Sequence, residues 1–213
     1  IIGTHALIQA GVTFHRPGIV ITDEQHRFGV KQREILQNSD DNISPDVLVM
    51  SATPIPRTLA LVLYGDLDIS TLKGKPSQRK PVITLVRQSD ARENIYKWAT
   101  DQITRKNAQV YIVHPLIEQG ESDMLSVEEN YKKMTTDANS PFVEKKISTG
   151  LVHGKMSAKD KASVMEDFVN GKTSVLFSTT VIEVGVDVPN ATVIIIESAE
   201  RFGLSQLHQL RGR

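Results

Sequence analysis

The sequence contains no cysteine among its 213 residues, which excludes disulfide bridges and thiolate metal sites. A reducing compartment such as the cytoplasm is therefore the expected location. No apolar run approaches the roughly 20 residues that a helix needs to cross a bilayer. The N-terminus also lacks the basic and apolar regions of a signal peptide. These absences predict a protein that works outside the membrane.

An excess of charge of either sign is also missing, because 25 Lys and Arg residues balance 25 Asp and Glu residues. A balanced total can hide a local basic surface, so it neither supports nor excludes nucleic acid as a partner. The phosphate-loop pattern G-x-x-x-x-G-K-[ST] is absent. The chain begins without methionine and stops at Arg213 without a helix stop signal, and we expect the protein to continue at both ends.

Short β-branched runs alternate with helical stretches, a pattern typical of α/β folds with a parallel sheet. The predicted helices cover 91–106, with Asp90 as N-cap, and 157–170, capped by Ser157 and ended by Gly171. Polar loops or turns are predicted at 119–126 and 135–141. The predicted strands are 18–22, 47–51, 82–86, 110–113, 148–153, 174–178 and 192–197.

A polar segment at 73–81 is rich in turn-forming residues and poor in apolar ones. Segments of this composition commonly link domains. The sequence therefore predicts a domain boundary there, with one domain over residues 1–80 and a second over residues 81–213.

Asp23, Glu24 and His26 follow a predicted buried strand, at the strand end where ligands bind in parallel α/β sheets. An Asp there can hold Mg²⁺, largely through water, and a neighbouring Glu can activate a water that attacks a γ-phosphate. A solvated turn explains the same residues. A catalytic metal bound by Asp23, His26 and either His5 or His153 is a further alternative, although no zinc-ligand spacing is present.

Three further segments carry hydroxyl, acidic or basic side chains past predicted strands or on a short helix. Ser51 and Thr53 come at a strand end, where hydroxyl groups can bridge neighbouring groups. The segment 178–189 brings hydroxyls, a glycine and Asp187 after another strand. In 204–213, Leu204, Leu207 and Leu210 would form the buried side of a short helix. Gln209, Arg211 and Arg213 would then be free to face a cleft, where arginine suits phosphate contacts. Each segment alone is also compatible with an ordinary loop or a solvated helix end.

These four segments occur in the order and spacing of superfamily 2 helicase motifs. Asp23 to His26 resemble motif II, Ser51 to Thr53 motif III, Thr179 to Asp187 motif V, and Gln209 to Arg213 the start of motif VI. Stretches at 2–8, 23–30, 52–58, 63–68 and 200–213 are similar to the RecG family in particular. Gln25 and the segment 64–68 favour RecG over transcription-repair coupling factors, which remain the nearest alternative.

The resemblance implies two RecA-like lobes with mainly parallel sheets, the first lobe incomplete at its N-terminus, and ATP between them. It implies that Asp23 coordinates Mg²⁺, that Glu24 activates water, and that His26, Ser51 and Thr53 couple nucleotide state to DNA handling. Residues that face the nucleotide would be Gly185, Asp187, Gln209 and Arg213, the last as an arginine finger. The residues that would contact the DNA backbone are Gly3, Thr4, His5, Thr179 and Thr180.

The implied function is an ATP-dependent DNA helicase or translocase. Its substrate would be branched DNA such as stalled forks and four-way junctions. The protein would be a monomer, and its cofactors would be ATP and Mg²⁺. The alternatives are the motor of a transcription-repair coupling factor and a DNA-binding fragment that does not hydrolyse ATP. Because the phosphate loop is absent, we predict negligible ATP hydrolysis by these 213 residues alone.

Overall fold

The computed structural model describes residues 1–8, 12–23, 45–51, 68–72, 81–115, 122–179 and 188–212. By its internal contacts the chain divides into two compact units, Ile1–Gly74 and Lys75–Arg213. Within the described residues no helix has the length and apolar character needed to cross a bilayer.

The first unit contains two parallel strands, β1 (Ile19–Asp23) and β2 (Asp46–Met50). Val20 pairs with Val47 and Asp23 with Met50, so both strands end at the same edge. A short 3-10 helix, His5–Ile8, precedes them. Parallel pairing fits the β-branched residues of both strands, which favour extended backbone.

The described residues of the second unit form a four-stranded sheet in which all neighbouring strands are parallel. Its strand order is β4 (Thr149–Val152), β5 (Val175–Ser178), β3 (Gln109–Val113) and β6 (Ala191–Ile196). Every residue of β3 and β5 is buried, as expected for central strands covered on both faces.

The helices of the second unit connect and cover these strands. They are α1 (Arg92–Lys106), α2 (Ser122–Thr136), α3 (Pro141–Glu144), α4 (Ala158–Val169) and α5 (Leu204–Arg211). One core cluster joins Tyr96, Phe142 and Phe177, and a second joins Tyr111, Phe168 and Leu210. Ile112 belongs to the first cluster and its neighbour Tyr111 to the second. Because successive side chains of a strand point to opposite faces, the two clusters bury opposite faces of the same sheet.

The parallel α/β class and six of the seven predicted strands are confirmed, with no strand end shifted by more than one residue. The capping of α4 is also confirmed, since the Ser157 side chain accepts a hydrogen bond from the amide of Asp160. Gly171 follows with φ of +74°, a backbone conformation that favours glycine.

Four local predictions were wrong. Residues 81–88 form neither strand nor helix, and Ile83 and Val86 are exposed. No strand among the described residues supplies a hydrogen-bonding ladder for them. Residues 122–126 belong to α2 rather than to a loop. Asp90 lies in a 3-10 turn, and Ala91 is the N-cap of α1. Leu204, the first residue of α5, is 86% exposed, whereas Leu210 is buried.

Candidate nucleotide and nucleic-acid site

The carboxyl ends of β1 and β2 bring two predicted site residues to one sheet edge. Asp23 is the last residue of β1, and Ser51 follows Met50, which pairs with Asp23. Both residues are exposed, so the carboxylate and the hydroxyl are accessible to solvent. This edge offers oxygen donors of the kind that Mg²⁺ prefers.

The carboxyl edge of the second sheet collects polar side chains from all four strands. His114, His153, Thr179 and Glu197 each follow directly after a strand, in β3, β4, β5 and β6 respectively. His114 donates its backbone N–H to Ser178 O at 2.8 Å, and Glu197 donates its own to Val113 O at 2.9 Å. The sheet itself therefore sets the spacing of these four residues.

Thr179 is completely buried at this edge. Within the described part of the chain its Oγ1 atom has no hydrogen-bond partner, and neither has Nδ1 of His153. The other ring nitrogen of His153, Nε2, lies 3.3 Å from Glu128 Oε1 on α2. A buried hydroxyl without a partner retains its full capacity to bind one.

Five side chains form a continuous hydrogen-bonded series along the same edge, here called the polar chain. Arg92 donates through Nε and Nη2 to Glu197 Oε2, at 3.1 and 2.7 Å. The Tyr96 hydroxyl donates to Glu197 Oε1 at 2.7 Å. Asn130 Nδ2 lies 3.2 Å from the Tyr96 hydroxyl oxygen and 3.1 Å from His114 Nε2. The polar chain thus joins α1, α2 and the ends of β3 and β6.

Burial shifts the pKa of two members of the polar chain. Burial lowers the pKa of His114 below its ordinary value, an effect that Glu197 partly opposes and Arg92 reinforces. Burial, and then the Glu197 carboxylate, raise the pKa of Tyr96 far above its ordinary value. A neutral His114 can accept a hydrogen from Asn130 at Nε2, which is consistent with the geometry.

Helix α5 places Gln209 one turn before the end of the described chain. The helix is fixed to the second core cluster through Leu207 and Leu210, and Phe202 is buried just before it. Gly203 donates its backbone N–H to Gln206 Oε1 at 3.1 Å, which closes the first turn. Gln209 is half-buried and takes part in further interactions.

The remaining predicted residues are only partly covered by the structure. Gly3 and Thr4 are exposed, and Thr4 O accepts the Leu7 amide hydrogen at 2.9 Å in the turn that includes His5. Among the described residues no three or more His, Cys, Asp or Glu side chains form a metal-binding group. Predicted residues that lie outside the described ranges are Glu24, His26, Thr53, Thr180, Gly185, Asp187 and Arg213.

Sequence reasoning did not identify the polar chain. Its members are separated by up to 105 positions, and each has an ordinary sequence context. A polar residue directly after an apolar strand, as at His114 and Glu197, was the available signal.

Comparison with known proteins places these observations in a family. A family model described as "Helicase conserved C-terminal domain" matches residues 94–213. Over its whole length the chain is 51% identical to the ATP-dependent DNA helicase RecG of Streptococcus pneumoniae and spans 31% of it. It is 50% identical to that of Thermotoga maritima and spans 26% of it.

Solved structures agree with this match. A structure of RecG bound to a three-way DNA junction has a TM-score of 0.68 at 44% identity, over 100% of this chain and 26% of that one. Dbp5 of S. cerevisiae, bound to RNA and ADP BeF3, has a TM-score of 0.59 at 15% identity, over 92% of this chain and 49% of that one. The second likeness concerns the fold alone. The chain therefore has the RecA-like α/β fold and resembles RecG over its full length.

Proposed function

We propose that this chain, which belongs to the helicase conserved C-terminal domain family, is part of an ATP-dependent DNA helicase or translocase that remodels branched DNA. The observation that carries the proposal is the match of about half of all positions to RecG along the entire chain. The chain spans less than a third of those relatives, so the activity belongs to a longer protein.

In the first unit we assign Asp23 to Mg²⁺, largely through water, and Glu24 to activation of the hydrolytic water. An exposed carboxylate at the end of β1, beside Ser51 at the end of β2, has the donor chemistry for a hydrated magnesium ion. Bound Mg²⁺ would neutralise charge on the phosphates. His26, Ser51 and Thr53 are assigned to coupling nucleotide state to DNA handling.

In the second unit we assign Gly185, Asp187, Gln209 and Arg213 to contacts with ATP. Arg213 would neutralise charge that develops on the γ-phosphate in the transition state. Helix α5 supports this assignment for Gln209, because Leu210 fixes the helix in the core while Gln209 remains half-buried beside it.

We assign the DNA backbone contacts to Gly3, Thr4, His5, Thr179 and Thr180. The Thr179 hydroxyl supports this role, since it is buried without a partner among the described residues and would donate to a phosphate oxygen when DNA binding exposes it. We further propose a monomer that acts in the cytoplasm on forks and four-way junctions, in recombination and repair.

The test uses the full-length protein that contains this chain, with Mg²⁺, ATP and a three-way DNA junction. We expect DNA-stimulated ATP hydrolysis and unwinding. Asp23→Asn should lower the hydrolysis rate by about a hundredfold or more. Asp46→Asn is the matched control, because Asp46 is an exposed carboxylate at the opposite end of the same two-stranded sheet. Equal rates for the two variants would refute the assignment of Asp23.

A further inference from the structure

One end of the polar chain lies beside Thr179. His114 is its last member, and the His114 backbone N–H donates to Ser178 O at 2.8 Å. Thr179 is the next residue and is fully buried. A movement of the Thr179 segment is therefore transmitted directly to the backbone of His114, because neighbouring strand ends share hydrogen bonds.

The other end lies at the start of the segment that leads to α5. Glu197 is followed by Ser198, which has φ of 49° and ψ of 50° in the left-handed region. Serine rarely adopts this backbone conformation, which persists only where the surrounding structure stabilises it. Arg92 and Tyr96 hold the carboxylate of the preceding residue, and Phe202 anchors the segment four residues later.

Between the two ends, each member of the polar chain is hydrogen-bonded to the next. The Tyr96 hydroxyl is the central link, since it donates to Glu197 and accepts from Asn130. A buried polar network of this kind has a few discrete arrangements, because each unpaired group in the interior is costly. Loss of one link therefore affects the geometry at both ends.

We propose that the polar chain is a positioning device that couples the Thr179 strand end to helix α5, with Tyr96 as its central residue. DNA bound at Thr179 would then change the position of Gln209, and through it the rate of ATP hydrolysis. The roles of Thr179 in DNA binding and of Gln209 in ATP binding rest on the proposed function. The hydrogen bonds of the polar chain are independent of that function.

The first experiment measures that connection in the full-length protein that contains this chain. Tyr96→Phe removes one oxygen atom and keeps the ring that packs on Phe142 at 5.5 Å. Tyr131→Phe is the matched control, because its ring packs on Phe177 in the same core at 5.4 Å. We expect faster hydrogen exchange of amides 198–212 in Tyr96→Phe only. Unchanged exchange in that segment would overturn the proposal.

The second experiment measures the ratio of DNA-stimulated to basal ATP hydrolysis in the full-length protein. Tyr96→Phe should lower this ratio about fivefold or more, with basal hydrolysis unchanged, while Tyr131→Phe leaves it as in the wild type. An unchanged ratio in Tyr96→Phe would refute the coupling. If the wild-type protein shows no DNA-stimulated hydrolysis, the proposed function fails, and the exchange experiment alone decides whether the polar chain positions α5.

Discussion

The hydroxyl of Tyr96 donates a 2.7 Å hydrogen bond to the carboxylate of Glu197, across 101 residues of sequence. The bond joins the first turns of α1 to the carboxyl end of β6 and is buried. Because Glu197 is also paired with Arg92, its charge is compensated inside the second unit. Substitution of Tyr96 by phenylalanine removes only the hydroxyl oxygen, so the contribution of this hydrogen bond to stability and activity can be measured.

Tyr96→Phe should lower the free energy of unfolding of the second unit by about 1–3 kcal/mol, the range for a hydrogen bond to a charged group. Trp98 is the single tryptophan of the sequence and lies on α1, so its fluorescence during urea unfolding reports on this unit. The control Tyr131→Phe should change stability by less than about 0.5 kcal/mol. Equal effects of the two substitutions would contradict the account.

His114 makes stability depend on pH. Its pKa is lowered by burial, so the unfolded chain binds more protons than the folded chain between the two pKa values. The free energy of unfolding that His114 contributes is therefore complete above the unfolded pKa and decreases as pH falls through the folded pKa. His114→Gln should weaken this acid dependence in urea titrations, whereas His208→Gln, an exposed control, should preserve it.

Gly150→Ala should destabilise the second unit by about 1–3 kcal/mol through overpacking. An added Cβ would lie 3.2 Å from Thr173 Cγ2 and 3.3 Å from both Leu176 Cδ1 and Val164 Cγ1. Gly203→Ala is the comparison, because its Cβ would meet Gln206 Oε1 at 3.7 Å, an ordinary contact. Urea midpoints followed by Trp98 fluorescence would separate the two, and a larger loss for Gly203→Ala would argue against the packing explanation.

The 213-residue chain alone should hydrolyse ATP at a negligible rate, because it lacks the phosphate-loop pattern. The tripeptide Gly171-Lys172-Thr173 does not replace it. This tripeptide follows the end of α4, and Lys172 Nζ is bound to Asp167 at 2.9 Å. Phosphate release well above background, stimulated by DNA, would disprove this prediction.

DNA binding by the chain should weaken as salt rises, with a linear fall of log affinity against log salt concentration. A filter-binding titration measures the slope. Thr179→Val should reduce affinity at every salt concentration, because the hydroxyl proposed to meet a phosphate is lost while the shape is kept. A flat salt response would exclude phosphate contacts by this chain.

The sequence predicted those features that depend on local patterns. Continuous apolar runs identified β3 and β5, which are buried on both faces, and Ser157 with Gly171 marked the ends of α4. The position of Asp23 at a strand end was also predictable, since the apolar and β-branched run from Ile19 to Thr22 indicates a strand. The residue types and their order carried the helicase resemblance.

Features that depend on long-range contact were not predictable in the same way. Residues 82–86 have strand propensity, but strand formation needs a partner that local sequence does not specify. Helix α2 was not predicted, because the polar residues and the glycine of 119–126 indicated a loop. The polar chain joins residues from four separate elements, so only the folded structure reveals it.

Within the described part of the chain, both pairing partners of the central strand β3 are made later in synthesis. Val110 lies in register with Val175 on one side and with Val193 on the other. Until those segments leave the ribosome, this strand, which is buried along its whole length in the folded protein, has no ladder to join, and such non-local pairing folds slowly. A nascent chain interrupted before Val175 would thus present an aggregation-prone edge, and chaperones are the natural place to look for its first binding partner.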